Sequence, residues 1–261
     1  MEEYTRQGVA ESLGTRVIGR YIRWHETLSS TNDLARSLAE IQVPEGTIIV
    51  AEEQTAGRGR MGRPWVSPRG GIWLSVILRP RLPLAQVPVI GLAASTAASR
   101  AIRVTTGLLA RVKWPNDVLI NGRKVAGILT EAGSDGEWVV VGIGINANIP
   151  PESLPQGATH PAGSLEGLLG HPVDRGVLTK ALLRELERGY EELRTVGPMA
   201  IMRRWREMAD TLGRVVRVEM PESALEGVAC DIDDSGALVV RLRNGTVQRV
   251  VAGEIVVREV W

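Results

Sequence analysis

The sequence predicts an α+β protein, with a mixed, largely antiparallel sheet and helices followed by a small β-barrel. Three observations lead to this prediction. Short β-branched or apolar segments recur up to residue 148. Two amphipathic helical patterns follow between residues 177 and 210, and short strands with Asp-Ser-Gly and Asn-Gly turns occupy the remainder. We therefore expect a larger domain, residues 1–211, and a small all-β domain, residues 212–261.

Strands are predicted where apolar and β-branched residues alternate or run together between turn residues. Segment 137–148 is apolar over most of its length and is therefore expected near the centre of the sheet. Asn121-Gly122, between two such segments, is a strong hairpin signal. The predicted strands of the first domain are 16–24, 46–53, 71–80, 110–114, 117–121, 123–132 and 137–148.

Helices are predicted from caps and from the spacing of apolar residues. Ser29 or Ser30 can cap a helix that begins at "TNDLARSLAEI", with Asp33 in the position that a capping box uses. The small apolar residues of segment 89–104 predict a buried helix, and segment 199–210 predicts an amphipathic one. Segment 177–193 places the following residues on one helical face: Val177, Leu178, Ala181, Leu182, Leu186 and Leu193.

Composition narrows the class of protein. A chain of 261 residues with 44% hydrophobic and 23% charged residues has the make-up of a soluble globular protein. We find no apolar run long enough to span a membrane and no signal-peptide pattern, so a cytoplasmic location is expected. The lone Cys230 excludes an internal disulfide framework, and three scattered histidines leave no zinc site.

The net charge of +1 hides an asymmetry along the chain. Residues 54–116 contain ten basic residues and no Asp or Glu, so the rest of the chain is acidic. Acidic partners from elsewhere in the fold account for some of these charges. For the four arginines in the glycine-rich stretch "EEQTAGRGRMGRPWVSPRGG" we expect an anionic ligand instead. These four are Arg58, Arg60, Arg63 and Arg69.

Two further stretches have residues suited to binding anions. "KWPND" (113–117) is either a plain turn or a site where Lys113 meets a phosphate and Asn116 and Asp117 bind a nucleotide or Mg²⁺. Lys124, ahead of the small Ala126-Gly127 pair, is either an exposed strand lysine or a ligand contact. Only three of the 31 basic residues are lysines, and two of them lie in these stretches.

Four motifs together resemble one family, the biotin–protein ligases, also called biotin–[acetyl-CoA-carboxylase] ligases. They are "STN", "EEQTAGRGRMGRPW", "KWPNDVLINGRKVAGIL" and "GIGINAN", in the order and spacing of that family. The resemblance implies a class II synthetase-like biotin/lipoate ligase domain and a terminal SH3-like β-barrel. It also implies a two-step reaction. Biotin and MgATP form biotinyl-5′-AMP, and a lysine of the biotin carboxyl carrier protein then accepts the biotinyl group.

The resemblance also implies roles for individual residues. Arg60, Lys113 and Lys124 are expected to be catalytic, and Asp117 is expected to hold Mg²⁺. The expected biotin-binding residues are Ser30, Thr31, Asn32, Gln54, Gly57, Arg58, Gly59, Arg60, Lys124 and Gly127. The expected ATP-binding residues are Arg58, Arg60, Trp65, Lys113, Asn116, Asp117 and Asn146.

Three other classes of protein are alternatives to a biotin–protein ligase. Lipoate–protein ligases share the fold and the adenylate chemistry, but their Arg-Arg-x-x-Gly-Gly-Gly loop is missing, since no glycine triplet follows Arg203-Arg204. A biotin-responsive regulator would need a DNA-binding module ahead of Ser30, where only 29 residues stand, so no operator binding is expected. A nucleic-acid module fits the near-neutral total charge poorly. The resemblance favours a homodimer but leaves the oligomeric state open.

Overall fold

The computed structural model describes residues 4–155, 161–220 and 223–257, and its larger sheet has seven strands. These strands are β1 (Ile22–Leu28), β2 (Ile48–Gln54), β3 (Ile72–Leu78), β4 (Arg111–Lys113), β5 (Asp117–Ile120), β6 (Arg123–Ala132) and β7 (Val139–Ile145). Their spatial order is β1-β2-β3-β7-β6-β5-β4. Only β1 and β2 pair in parallel, and the other neighbours are antiparallel. The predicted mixed sheet, with β7 at its centre, is confirmed.

Helices cover both faces of this sheet. They are α1 (Arg6–Ala10), α2 (Thr31–Glu40), α3 (Val87–Thr106), α4 (Leu165–Leu169), α5 (Arg175–Thr195) and α6 (Pro198–Met208). Because successive strand residues point to opposite faces, Ile49, Ile77 and Val140 pack under α2. Their neighbours on the same strands join the larger core, which includes α3, α5 and α6. In the described part of the chain, no helix is both long and apolar enough to cross a membrane.

The predicted strand at 16–24 is wrong over its first part, since β1 begins at Ile22. The backbone N–H groups of Arg16, Val17 and Ile18 donate to the Glu187 carboxylate on α5, at 2.6, 2.8 and 2.8 Å. These donors are therefore used by a side chain and cannot form a sheet ladder. Alternating apolar residues carry no information about such a distant acceptor.

Two smaller corrections concern helices. Val177 was expected on the buried face of α5, but it is 45% exposed. It lies in the first turn, where its N–H is bound by the capping carboxylate of Asp174. Helices α1 and α4 were not predicted, because five residues are too few to show a helical period. The predicted caps of α2 are confirmed in part, since Ser30 is the N-cap and accepts from the Asp33 N–H.

A second sheet follows, and all of its neighbouring strands are antiparallel. Its strands are β8 (Val215–Met220), β9 (Ser223–Ile232), β10 (Leu238–Leu242), β11 (Val247–Val250) and β12 (Glu254–Val257), in the spatial order β11-β10-β9-β8-β12. It packs closely on the first unit. The buried Trp114 donates its indole N–H to Gly236 O at 3.0 Å, and Arg206 of α6 pairs with Asp231 at 2.5 Å. The α+β class with a terminal all-β unit is confirmed.

Candidate active site

A cavity of about 470 Å³ lies where the glycine-rich segment between β2 and β3, residues 55–71 (the cationic loop), meets the larger sheet and the start of β12. Among the predicted site residues, those that line it are Ser30, Thr31, Asn32, Gln54, Arg58, Gly59, Arg60, Trp65, Lys113, Asn116, Asp117, Lys124, Gly127 and Asn146. Gly57 is outside the lining. A Cβ at Gly57 would overlap the Trp65 carbonyl oxygen, so a glycine here allows the backbone of the loop to pack closely on itself.

One end of the cavity is a polar pocket at the N-terminus of α2. The backbone N–H and the hydroxyl of Thr31 lie 2.8 and 3.0 Å from Gln54 Oε1. The Gln54 amide donates to Ser67 Oγ at 2.9 Å, which connects the pocket to the cationic loop. Ser30 and Thr31 are buried although polar, because helix capping and these hydrogen bonds satisfy them. The pocket therefore offers a set of preorganised donors and acceptors.

Two residues that hold Asn32 in this pocket, Ser75 and Glu131, were not predicted from the sequence. Asn32 donates from Nδ2 to Glu131 Oε2 at 2.7 Å, and its Oδ1 lies 2.6 Å from the fully buried Ser75 Oγ. These contacts fix the orientation of the Asn32 amide. Ser75 is the single polar residue in the strand "IWLSVIL", and that exception was the available signal. Nothing in the sequence around Glu131 marks it as a partner of α2.

Three of the four arginines of the cationic loop have acidic partners from other elements, which the sequence did not predict. Arg58 pairs with Asp33 on α2, and its guanidinium also lies 3.6 Å from Glu131 on β6. Arg63 pairs with Glu254 at 2.5 Å and Arg69 with Glu26 at 2.9 Å. Three of the four loop arginines are thus neutralised without a ligand, because acidic residues distant in sequence fold against the loop.

Arg60 is the exception among these four. It donates to the carbonyl oxygen of Gly253 at 3.2 Å, and in the described parts of the chain it forms no ion pair. Burial lowers the pKa of Arg60 from its ordinary value, although Asp117 and Glu254 act in the opposite direction. A half-buried guanidinium that faces a cavity without its own carboxylate is well suited to an anionic ligand.

Lys113, Lys124 and Asp117 form a second charged group on the wall of the cavity. Lys124 Nζ lies 2.6 Å from Asp117 Oδ1 and 5.1 Å from the centre of the Trp65 ring. Lys113 is only 3% exposed, and burial lowers the pKa of its ammonium to about 8, with Asp117 opposing the shift. The Asp117 carboxylate therefore pairs with the Lys124 ammonium and acts on that of Lys113 only as a nearby charge, so two positive charges face one negative charge here.

A flat floor for the cavity is made by two glycines on neighbouring strands. Gly127 of β6 and Gly144 of β7 are direct partners in the sheet. A Cβ at Gly144 would stand 2.5 Å from Trp65 Nε1, and one at Gly127 would stand 3.0 Å from the same indole. Trp65 therefore lies against backbone, and in the described residues its indole N–H has no hydrogen-bond partner. Gly144 was not predicted, although the repeated glycines of "GIGINAN" mark the strand.

Two predicted ATP contacts have structural bonds of their own. The Asn116 amide donates to Ile128 O at 2.7 Å, which joins the β4–β5 turn to β6. The Asn146 amide donates to Gly163 O at 3.0 Å. Both side chains line the cavity, and each uses one amide N–H in a bond to the protein. The second N–H and the carbonyl oxygen of each amide have capacity left for a ligand.

The carboxylates of the cavity suit a metal ion that arrives with a nucleotide. Within the described ranges, no group of three or more His, Cys, Asp or Glu residues could hold a metal ion by itself. Asp117 and Glu254 are carboxylates that line the cavity. Mg²⁺ in nucleotide sites is commonly held by one or two carboxylates together with the phosphates. The donor set therefore fits MgATP rather than a resident metal.

Comparison with known proteins places the chain in a family. Residues 24–148 match the model of the Biotin/lipoate A/B protein ligase family, and residues 211–258 match the model of the Biotin protein ligase C terminal domain. The chain belongs to the biotin/lipoate A/B protein ligase family.

Curated relatives and solved structures narrow the comparison to biotin ligases. The biotin–[acetyl-CoA-carboxylase] ligase of Mycobacterium tuberculosis is 37% identical, over 94% of both chains. The bifunctional ligase/repressor BirA of Bacillus subtilis is 38% identical over 93% of this chain and 76% of its own length. The fold is also similar to that of the biotin protein ligase from Aquifex aeolicus in complex with biotin and ATP, with a TM-score of 0.80 and 27% identity over 92% of this chain and 99% of that one.

Proposed function

We propose that this protein is an ATP-dependent biotin–[acetyl-CoA-carboxylase] ligase. It joins biotin to AMP with release of diphosphate, and then transfers the biotinyl group to a lysine of a biotin carboxyl carrier protein. The main support for the proposal is that a single cavity has two chemically different ends. The polar pocket around Thr31 and Gln54 suits an uncharged ureido ring, and the cationic wall of Arg60, Lys113 and Lys124 suits a carboxylate and phosphates.

In the first step, an oxygen of the biotin carboxylate attacks the α-phosphorus of MgATP. The bond from that phosphorus to the bridging oxygen of the β-phosphate breaks, and diphosphate leaves. Arg60, Lys113 and Lys124 hold the two anions together and stabilise the negative charge on the phosphoryl oxygens. Lys124 would exchange its contact with Asp117 for the substrate, and Asp117 would then hold the Mg²⁺ that ATP brings.

In the second step, the amine of a carrier lysine attacks the acyl carbon of biotinyl-5′-AMP. An amide forms, the bond from the acyl carbon to the phosphate oxygen breaks, and AMP leaves. The intermediate is a mixed anhydride that water hydrolyses, so its cavity must be covered. The cationic loop and residues 253–255 line the cavity and serve as this cover.

Individual assignments follow the lining of the cavity. We infer that biotin is held by Ser30, Thr31, Asn32, Gln54, Arg58, Gly59, Arg60, Lys124 and Gly127, and ATP by Arg58, Arg60, Trp65, Lys113, Asn116, Asp117 and Asn146. Gly57 contributes through the loop backbone. A cytoplasmic location, the absence of operator-DNA binding, a homodimeric state and the division at residue 211 stay predictions.

Exchange of labelled diphosphate into ATP tests the first step, with biotin or lipoate as the only acid. We expect exchange with biotin and none with lipoate. The Arg60→Ala variant, purified identically, controls for contaminating ligase, because exchange at this site must fall when one phosphate donor is removed. Exchange with lipoate alone would identify the protein as a lipoate–protein ligase. Exchange with neither acid would contradict the proposed activity.

A further inference from the structure

Arg175 connects the two ends of the cationic loop. It is the first residue of α5, and its Nη1 donates to Glu52 Oε2 at 2.9 Å and to the carbonyl oxygen of Gly71 at 3.0 Å. Glu52 lies on β2 just before the loop, and Gly71 is the last residue of the loop, directly before β3. One guanidinium group therefore bonds to the chain where it enters the loop and where it leaves it.

The guanidinium is held rigidly in this place. Its carbon lies 4.1 Å from the centre of the Tyr4 ring, which packs edge-on against Trp24 of β1 at 4.8 Å between ring centroids. The side chains of Arg175 and Glu52 are 18% and 9% exposed, so the pair is largely withdrawn from water. A buried, stacked and doubly bonded guanidinium has little freedom to follow movements of the loop.

Asn148 supports the same end of the loop from the same side. Its backbone N–H donates to Gly70 O at 2.8 Å. Its side-chain amide pairs reciprocally with the backbone of Val173, two residues before Arg175, with both hydrogen bonds at 2.9 Å. Gly70 has φ of 100°, and a Cβ there would overlap the carbonyl oxygen of Asn148. The chain at the start of α5 thus contacts the loop base directly through Arg175, and indirectly through the bonds of Val173 to Asn148.

None of these bonds touches the cavity, since neither Arg175 nor Glu52 lines it. Glu52 is nevertheless separated from Gln54 by a single residue, and Gln54 anchors the polar pocket. The loop arginines that line the cavity lie between the two braced ends. A loop whose ends are fixed samples fewer conformations than one whose ends drift, so its side chains stay closer to the geometry that the reaction needs.

We propose that Arg175 is a positioning residue for adenylate formation: by bracing Glu52 and Gly71, it fixes the base of the cationic loop and so places Arg58 and Arg60 at the cavity. The effect on the reaction rests on the proposed ligase function, whereas the effect on the loop does not. The competing explanation is that Arg175 only neutralises the buried Glu52 carboxylate.

The test compares Arg175→Met, the double variant Glu52→Gln/Arg175→Met, and Arg184→Met. The double variant removes the pair without leaving a buried charge. Arg184 is the matched control, because it also lies on α5 and donates to two carbonyl oxygens, of Leu13 and Ser12 at 2.8 and 2.6 Å, away from the loop. Each protein is measured for its melting temperature, for trypsin cleavage after Arg58 and Arg60 by mass spectrometry, and for biotin-dependent diphosphate exchange.

We expect the double variant to melt close to the Arg184→Met control. We also expect it to be cleaved in the loop several-fold faster than the control, and to show a kcat/KM for ATP lower by roughly 10-fold to 10². Wild-type cleavage and wild-type kinetics in the double variant would reduce Arg175 to a counter-ion for Glu52 and overturn the proposal. Faster cleavage with unchanged kinetics would show that Arg175 braces the loop without affecting adenylate formation, which overturns the proposed role in the reaction. If the wild type shows no exchange at all, the ligase function fails, and cleavage alone still decides whether Arg175 braces the loop.

Discussion

At the scale of single residues, lysine and arginine have different surroundings in this site. Arg58 and Arg63 make ion pairs at the rim, where a guanidinium reaches carboxylates on other elements. Lys124 instead lies inside, with its Nζ on Asp117 at 2.6 Å. Its stem lies beside Gly127, where an added Cβ would stand 3.4 Å from Lys124 Cε. The compact ammonium fits this space better than a planar guanidinium does.

We therefore expect Lys124→Arg to lose most adenylation activity and to weaken biotin binding, although it conserves charge. A larger, forked group collides with Trp65 or the substrate, or misses one of its two anions. Lys180→Arg, on α5 and outside the cavity lining, is the matched control and should behave like the wild type. Diphosphate exchange and thermal melting are compared for both. A normally folded and fully active Lys124→Arg protein would show that the assigned role of Lys124 is wrong.

Lys113 gives the site a predictable response to pH. Burial lowers the pKa of its ammonium to about 8, so the group is charged below that pH and neutral above it. Its attraction for phosphates is therefore lost as the pH rises. We expect the Kd for an uncleavable ATP analogue to increase roughly 10-fold from about pH 7 to about pH 9. Calorimetric titrations at several pH values measure this, and the transition should vanish in Lys113→Met. If Lys113→Met showed the same change of Kd with pH, a titratable group other than Lys113 would be its cause.

At the scale of elements, the cationic loop has ion-pair partners that its own sequence does not indicate. It is glycine-rich and contains no acidic residue, yet α2, β6, β12 and β1 each supply a carboxylate to its arginines. These pairs are half-exposed, and such pairs are individually weak. Ligand phosphates and carboxylates can therefore compete for the loop arginines, and we expect the loop to open and close over the cavity.

We expect trypsin to cut the free protein after Arg58 or Arg60, while the Arg63-Pro64 bond resists. Biotin with ATP should protect both sites, because the anions hold the loop against the cavity. Mass spectrometry of the fragments over time measures the cleavage. Biotin alone and ATP alone are the matched controls, and each should protect less than the pair. Equal cleavage with and without ligands would contradict a closing loop.

At the scale of the whole molecule, the second sheet contributes to the active site. Gly253, Glu254 and Ile255 line the cavity, Arg60 donates to Gly253 O, and Arg63 pairs with Glu254. The Arg63 guanidinium also holds the pKa of the Glu254 carboxyl below its ordinary value. The small terminal unit thus lines the cavity, in addition to packing on Trp114.

A double-mutant cycle on Arg63→Met and Glu254→Gln tests this coupling. We expect each single change to raise the KM for ATP in the exchange assay and the double change to add little more, since both break one contact. The coupling in stability should be small, about 0.2–1 kcal/mol, because the pair is partly exposed. Arg69→Met, which breaks a loop pair away from the second sheet, is the control. Additive effects of the two changes on KM would rule out a cover held by this pair.

The elements were predicted with different success for physical reasons. Helix α3, β7 and the Asn121-Gly122 hairpin were found because their signals are local: small apolar residues, a continuous apolar run and a turn that needs positive φ. The strand expected at 16–24 failed because Glu187, far along the chain, binds its backbone N–H groups. Helices of five residues carry too little periodicity to detect.

The sequence by itself determined the chemistry of this protein: four motifs hold most of the residues that meet at the cavity, and their order is enough to indicate an adenylate-forming ligase. Only the tertiary structure decided how those residues are held. The structure alone revealed four residues that bond to residues of the motifs: Ser75, Glu131, Glu254 and Arg175. Such partners can be far apart in sequence, since Asn32 and Glu131 are separated by 99 residues. The type of a side chain is written in the sequence, but its ion pairs and hydrogen bonds depend on which distant elements pack against it.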